Sequence, residues 1–214
     1  MIPKEQPNGQ RLHPRVDRAR LALLGLPCIW LLAACASQEQ IGKGISEVNR
    51  AFQADYEALL SQRGARSYPV VRTDAVVALQ AALSKLGMSV TDLDADLGTL
   101  SAEAPAPKPL TTREWEQAAA VDLPRMRELV RKHVGPMAQF VRFEPEGLQI
   151  VIHATVAQWQ GGVEVALTTR MRELSPPRSG LPRREYPPPS AVDIALGKIW
   201  TGFEAELRAA GKMR

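Results

Sequence analysis

Three aspartates, Asp92, Asp94 and Asp96, alternate with other residues at a spacing that could hold a calcium ion. A calcium loop of the EF-hand type also needs a glycine at its sixth position and a bidentate glutamate at its twelfth. Counting from Asp92, the sixth residue is Leu97, and Gly98 comes one position late. The segment also falls between two predicted strands instead of two helices. The pattern favours a solvated hairpin turn, and we expect neither a metal nor a cofactor.

Two histidines follow the first 34 residues, and neither has metal-ligand spacing to other histidines or acids. His133 falls in the last turn of a predicted helix, where the helix dipole favours a protonated imidazole. His153 falls in mid-strand, where we expect a neighbouring side chain to satisfy it. No nucleophile elbow, Ser-x-x-Lys, His-Glu-x-x-His or phosphate-binding glycine loop occurs. The sequence therefore predicts no catalytic residue, although a carboxylate pair for glycoside cleavage stays open as an alternative.

Cys35 directly follows Leu32-Ala33-Ala34 at the end of a short apolar run that begins at Leu21. A positively charged start, a short apolar run and small residues at a cleavage position are typical of an export signal. The run is shorter than the roughly 20 apolar residues of a spanning helix, and Pro27 interrupts it. The segment resembles the type II signal peptide of Gram-negative bacterial lipoproteins. The alternatives are an uncleaved anchor and a plain signal peptide with a chance cysteine.

This resemblance implies that residues 1–34 are a signal peptide that is removed, and that Cys35 carries a diacylglycerol with further acyl chains such as palmitate. Two or three acyl chains hold a protein durably on a membrane, whereas one chain alone is marginal. Ala36 and Ser37 lack the aspartate that usually retains a lipoprotein in the inner membrane. The expected location is the outer membrane, with the chain anchored by lipid and facing the periplasm.

The charge of the chain falls close to neutral once the leader is removed. The net charge of +4 includes five basic and two acidic residues within 1–34, so 22 basic and 21 acidic residues remain. A nucleic-acid binder normally presents a basic face to phosphates, and export argues against that class independently. We therefore expect no nucleic-acid partner. No internal disulfide is expected, because Cys35 is then the one cysteine left.

The domain organisation predicted for the mature chain is a short tether followed by one domain. Residues 35–44 are small and polar and are predicted to be a flexible lipid-anchored tether, and residues 45–214 a single α+β periplasmic domain. The element order is helix, strand, helix, two strands, helix, three strands and helix. This order predicts a mostly antiparallel sheet with helices packed on one face.

Several element boundaries follow from capping and turn residues. The first helix is predicted from Ser46 as its cap, and residues 140–143 are predicted to be a strand. The third helix begins with a Thr111–Glu114 capping box, and Pro124 is expected to kink or restart it with Asp122 as the new cap. Residues 148–159 and 163–173 alternate on both sides of a Gly-Gly turn and predict a hairpin. The last helix is predicted to start with a variant capping box of Ser190 and Asp193, and its buried stripe comprises Val192, Leu196, Ile199, Phe203 and Leu207.

The element order and the lipobox together resemble the helix-grip accessory lipoproteins of the outer-membrane β-barrel assembly machinery. Those proteins often contain two such domains, whereas this chain has one. No diagnostic motif carries the resemblance, so no residue role is transferred from it. It implies a role in assembly or binding at the envelope.

The segment from Ser175 to Pro189 is the predicted partner-binding site. It contains six prolines, which exclude regular structure, and long irregular loops in compact domains are usually functional or disordered. Arginine and tyrosine suit protein surfaces, and proline lowers the entropy lost when a loop docks. The predicted binding residues are Arg178, Arg183, Arg184 and Tyr186. The alternative is a solvated crossover whose prolines prevent aggregation of a sheet edge.

Together these patterns predict a membrane-anchored periplasmic lipoprotein that acts as a non-enzymatic binding or assembly module for an envelope protein or component. One alternative is an auxiliary lipoprotein subunit of a lipid or solute transport system, which would need an apolar groove under the helices. A less favoured alternative is a cell-wall hydrolase.

Overall fold

The computed structural model describes residues 37–174 and 181–213. Its α-helices are α1 (Gln38–Arg63), α2 (Arg72–Lys85), α3 (Thr112–Val134) and α4 (Pro189–Ala209), and a 3₁₀ helix spans Gly135–Phe140. Its strands are β1 (Ala65–Tyr68), β2 (Ser89–Asp94), β3 (Thr99–Pro105), β4 (Leu148–Trp159) and β5 (Gly162–Glu173). These elements form one α+β domain with helices packed against an antiparallel sheet, as the sequence predicts.

The five strands lie in the order β1-β5-β4-β3-β2, and all neighbours are antiparallel. β4 and β5 pair along their whole length, from Leu148 opposite Glu173 to Trp159 opposite Gly162, which confirms the predicted hairpin. Side chains alternate between the faces of a strand, so one face of the sheet is apolar and buried under the helices. We call the other the open face, because no element of the described ranges covers it and most of its side chains are exposed.

Helix α4 supplies the centre of the core. Its predicted stripe is confirmed, since all five of its residues are buried. Trp200 is also fully buried, and its indole N–H donates to the backbone oxygen of Arg63 at 2.9 Å. The Phe203 ring meets Tyr68 edge to face at 4.9 Å between centroids. Each large side chain buried in this way contributes roughly 1.5–3 kcal/mol to the free energy of unfolding.

Helix α1 begins nine residues before the predicted position. Its cap is Ser37, whose hydroxyl accepts from the Gln40 amide at 3.2 Å while the Gln40 side chain accepts from the Ser37 amide at 2.9 Å. The prediction that residues up to 44 form a flexible tether is therefore wrong for residues 38–44. The glycines that suggested flexibility instead permit close packing: a Cβ added at Gly44 would lie 3.3 Å from Val130 of α3.

Helix α3 is continuous through Pro124, so the predicted restart at that residue is wrong. The predicted Thr111–Glu114 capping box is present.

Asp122, expected to cap a new helix within α3, instead accepts hydrogen bonds from Ser190 at the start of α4. The predicted capping box at the start of α4 is also absent, because the cap position is Pro188 and Asp193 pairs with Arg63. A carboxylate of α3, and not a residue near the start of α4, accepts the hydrogen bonds from the first turn of α4.

Residues 140–143, predicted as a strand, do not join the sheet. The 3₁₀ helix runs to Phe140, and residues 141–145 after it have no regular structure. Phe143 packs its ring 6.0 Å from that of Trp115, and its backbone oxygen accepts from the Trp115 indole at 3.3 Å. Phe143 is thus buried against α3 instead of in a strand pair, whereas Phe140 is exposed.

Candidate functional site

A polar groove of about 570 Å³ lies on the open face, between the strands β3, β4 and β5 and the chain segment at Arg183–Glu185. We call it the sheet groove. Its floor carries His153, Ser101 and Val151, and its rim is charged, with four arginines balanced by four acids. The arginines are Arg170, Arg172, Arg183 and Arg184, and the acids are Asp92, Glu103, Glu173 and Glu185.

Asn49 of α1 holds the segment that forms one side of the sheet groove. Its side-chain amide donates to the backbone oxygen of Arg183 at 2.8 Å, and its side-chain oxygen accepts from the backbone amide of Glu185 at 3.2 Å. The Asn49 side chain thus makes one donated and one accepted hydrogen bond to this backbone, as a residue of a neighbouring strand would. This fixes the backbone on both sides of Arg184 although the segment has no regular structure.

Arg184 is largely committed to contacts within the protein. Its Nε donates to Glu173 at 2.6 Å, its Nη1 donates to the backbone oxygen of Glu144 at 3.3 Å, and its guanidinium lies 5.7 Å from the centre of the Phe143 ring. An arginine used in this way joins the loop to the end of β5 and to the segment before β4. Its binding capacity for a partner is correspondingly reduced.

Tyr186 faces the core. Its ring lies 5.8 Å from that of Tyr56, and it is partly buried against the apolar cluster. The Tyr56 hydroxyl in turn accepts from the Thr169 backbone amide at 2.8 Å, and burial raises the pKa of Tyr56. Of the four predicted binding residues, the structure brings Arg183 and Arg184 to the sheet groove, and it does not bring Tyr186. Arg178 lies outside the described residues.

Arg170 and Arg172, which the sequence analysis did not single out, line the sheet groove beside Arg183. Arg172 donates to the Gln149 side chain at 3.1 Å and lies 3.5 Å from Glu103. Arg170 and Arg183 are exposed and form no ion pair within the described ranges. The alternation of β5 contains the signal for both residues, because Glu164, Thr168, Arg170 and Arg172 share its polar face.

The floor of the sheet groove is built for hydrogen bonding. Ser101 Oγ lies 2.9 Å from His153 Nδ1, so a neighbouring side chain satisfies this histidine, as expected. Thr168 and Asp92 continue the same row across the sheet. In a hydrolytic triad a carboxylate would orient the imidazole through Nδ1. Here a hydroxyl occupies that position, so the pair can accept or donate hydrogen bonds to a ligand laid across the sheet.

His133 and the aspartate turn have local structural contacts. His133 is paired with Glu47 of α1, which also contacts Lys132 at 3.1 Å, and the hydrogen bond from His133 together with Lys132 lowers the pKa of Glu47. Asp94 accepts from the Leu97 backbone amide at 2.8 Å, which confirms the predicted turn. The described residues contain no group of three or more His, Cys, Asp or Glu side chains that could hold a metal.

Cys35, the predicted lipidation site, lies outside the described residues. Within residues 37–174 and 181–213, no helix is both long enough and apolar enough to cross a membrane.

No protein-family model, curated protein or solved structure matches this chain. The charges, contacts and shape of the described residues therefore carry the functional inference.

Proposed function

We propose that this protein is a lipid-anchored module at the periplasmic face of the outer membrane and that it binds an envelope protein without catalysing a reaction. The leader and Cys35 support the anchor. The observation that carries the binding role is the sheet groove, where Arg170 and Arg183 are exposed on a folded, polar surface and form no ion pair with another described residue.

The chemistry of the sheet groove suits a protein partner. Small-molecule pockets are mostly apolar and bury most of their ligand, whereas this groove is open and its rim is charged throughout. Arginine is enriched in protein interfaces because its planar guanidinium forms paired hydrogen bonds and stacks on flat groups. The four acids on the same rim would reject a uniformly acidic surface. We therefore expect a partner with mixed charges that places carboxylates at Arg170 and Arg183.

The anchoring of the loop supports the same proposal. A binding loop that is disordered when free loses conformational entropy when it docks. Here Asn49 and Glu173 already hold the backbone and the Arg184 side chain. The guanidinium of Arg183 is thus presented from a fixed backbone, and less entropy is lost on binding than for a free loop.

The space between sheet and helices favours this role over that of a lipid carrier. A site for an acyl chain needs an apolar cavity of several hundred Å³. The cavity found there, beside Thr169 and Trp115, has a volume of about 10 Å³. The side chains around it are closely packed, and Ile152, Leu196 and Trp200 are fully buried. An acyl chain in this space would require the helices to separate from the sheet.

A crosslinking experiment tests the proposal. The full chain would carry a photo-reactive amino acid at Thr168, which is exposed on β5 opposite His153 of the groove floor, and would be expressed in its own Gram-negative cells. We expect one defined crosslinked protein, and we expect the doubly substituted Arg170→Ala, Arg183→Ala chain to lose it. The matched control is Arg113→Ala, which removes an exposed arginine at the start of α3, remote in sequence from the groove segments. An unchanged crosslink in the double variant, or no defined crosslink in the native chain, would contradict the proposal.

A further inference from the structure

We infer that the first three turns of α1 lie directly on the phospholipid surface, so that the domain is held against the membrane and not suspended below it. This inference rests on the proposed anchor at Cys35 and adds a second membrane contact within the folded domain. It identifies the headgroup phosphates of the bilayer as the ligand of the outer side of α1.

The first observation is the missing spacer. Only Ala36 separates Cys35 from Ser37, and Ser37 is already the cap of α1. Two residues of extended chain span no more than about 7 Å, which is about the thickness of one headgroup layer. Covalent geometry alone therefore keeps the start of α1 at the membrane surface if Cys35 carries the lipid. A domain that hangs free would need the flexible tether that residues 38–44 do not supply.

The second observation is the charge on the outer side of α1. Residues at positions 39, 43, 46 and 50 repeat at intervals of four and three and therefore share one face of the helix. Lys43 and Arg50 on this face are exposed, and Lys132 and His133 of α3 flank it through their contacts with Glu47. Against these basic groups stand Glu39, which pairs with Lys43, and Glu47.

All of these groups except Lys132 line a shallow depression of about 580 Å³ that is open to solvent, and Lys132 adjoins it through Glu47. We call it the α1 surface, defined by Lys43, Ser46, Arg50, Lys132 and His133. The face becomes acidic farther along, because Glu57 lies on the same side of α1 and accepts from Gln53. The basic part is therefore confined to the first half of the helix, which is the half adjacent to Cys35.

The third observation is the apolar material beside the same charges. Leu181 and Pro182 border the α1 surface, and a Cβ added at Gly42 would lie 3.4 Å from Pro182. Leu181 and Pro182 are both half-exposed. Basic residues beside exposed apolar side chains are the composition with which a helix lies in a membrane interface. Phosphate is complementary to the exposed guanidinium of Arg50.

Vesicle binding tests this inference separately from the anchor. The unlipidated domain, residues 36–214, contains the whole described core and would be mixed with phosphatidylethanolamine vesicles containing phosphatidylglycerol. We expect salt-sensitive co-sedimentation, since each basic residue near an anionic surface contributes about 1 kcal/mol. Neutralising Lys43, Arg50 and Lys132 to glutamine should weaken binding at least tenfold.

The control removes three charges of the same kinds elsewhere. Lys85→Gln, Arg113→Gln and Lys212→Gln eliminate two lysines that are in ion pairs and one exposed arginine, as the test variant does. The control should bind within about twofold of the native domain, and equal melting temperatures would show that both variants fold. Equal loss in both variants, or no binding by the native domain, would overturn the inference. The anchor is read independently from whether the intact mass of the mature protein includes lipid on Cys35.

Discussion

Asp122 of α3 accepts two hydrogen bonds from Ser190, one from the backbone amide at 2.9 Å and one from the hydroxyl at 3.0 Å. The carboxylate thereby caps the first turn of a helix that has no side-chain cap of its own. Burial raises the pKa of Asp122, and the hydrogen bonds from Ser190 oppose that effect. The interaction joins α3 to the end of the proline-rich segment, and it thereby fixes the position of the first turn of α4.

Replacement of Asp122 should destabilise the protein in proportion to the capping that is lost. We expect Asp122→Ala to lower the free energy of unfolding by about 1–2 kcal/mol, the usual cost of losing an N-cap. Asp122→Asn keeps an oxygen acceptor and should lose less than half as much. Urea unfolding at neutral pH measures both values, with Asp92→Ala in an exposed strand as the control. Equal stability of the alanine variant and the native protein would contradict the role of this cap.

Two glycine substitutions in α1 should have opposite effects. A side chain at Gly44 meets Val130 at 3.3 Å, so Gly44→Val should force α1 and α3 apart and cost about 1–3 kcal/mol. A methyl group at Gly42 makes an ordinary contact at 3.4 Å, and the helix gains about 0.5–1 kcal/mol when alanine replaces glycine. Thermal unfolding distinguishes them. If neither substitution changed the melting temperature, residues 38–44 would behave as a tether and not as a helix.

The Glu114–Lys198 pair should make stability sensitive to acid. The Lys198 hydrogen bond, together with the Thr111 backbone amide, lowers the pKa of Glu114 from 4.5 to about 2. A lowered pKa in the folded state means that the contribution is complete above 4.5 and is lost as the pH falls through about 2. Lys198→Met should flatten the dependence of unfolding free energy on pH in this interval. An unchanged slope in the variant would show that the pair does not act as described.

Substitution of Asn49 should make the chain segment at Arg183–Glu185 more mobile. Asn49→Ala removes both hydrogen bonds to the backbone around Arg184, and we expect trypsin to cleave after Arg183 and Arg184 several times faster. The loss of global stability should be only about 1 kcal/mol, because both bonds are partly solvated. Gln53→Ala on the same helix is the control, since its side chain contacts only Glu57. Cleavage at the native rate in the alanine variant would contradict the anchoring role.

The parts of the fold that sequence patterns predict are those with strong local periodicity. The alternation of β4 and β5 and the apolar stripe of α4 correspond to their observed burial. The errors come from tertiary contacts that local rules do not contain. Small and polar residues suggested a tether, but the small size of Gly44 permits α1 to pack closely on α3. Phe143 suggested a strand, but its backbone oxygen accepts from Trp115.

The candidate site was predicted only in part, again because tertiary contacts decide which side chains reach it. Composition identified the proline-arginine segment, yet it could not show that Tyr186 turns inward onto Tyr56. Arg170 and Arg172 were visible in the alternation of β5, but only the missing cover over the open face makes them accessible. Which face of a two-sided sheet stays uncovered depends on where the helices pack.

The intact mass of the mature protein, extracted with detergent from its own membranes, tests the central claim most directly. We predict a chain that begins at Cys35 and carries a diacylglyceryl group with a further acyl chain. A mass that includes residues 1–34 with an unmodified Cys35 thiol would contradict the anchor, the proposed location and the membrane contact of α1 together.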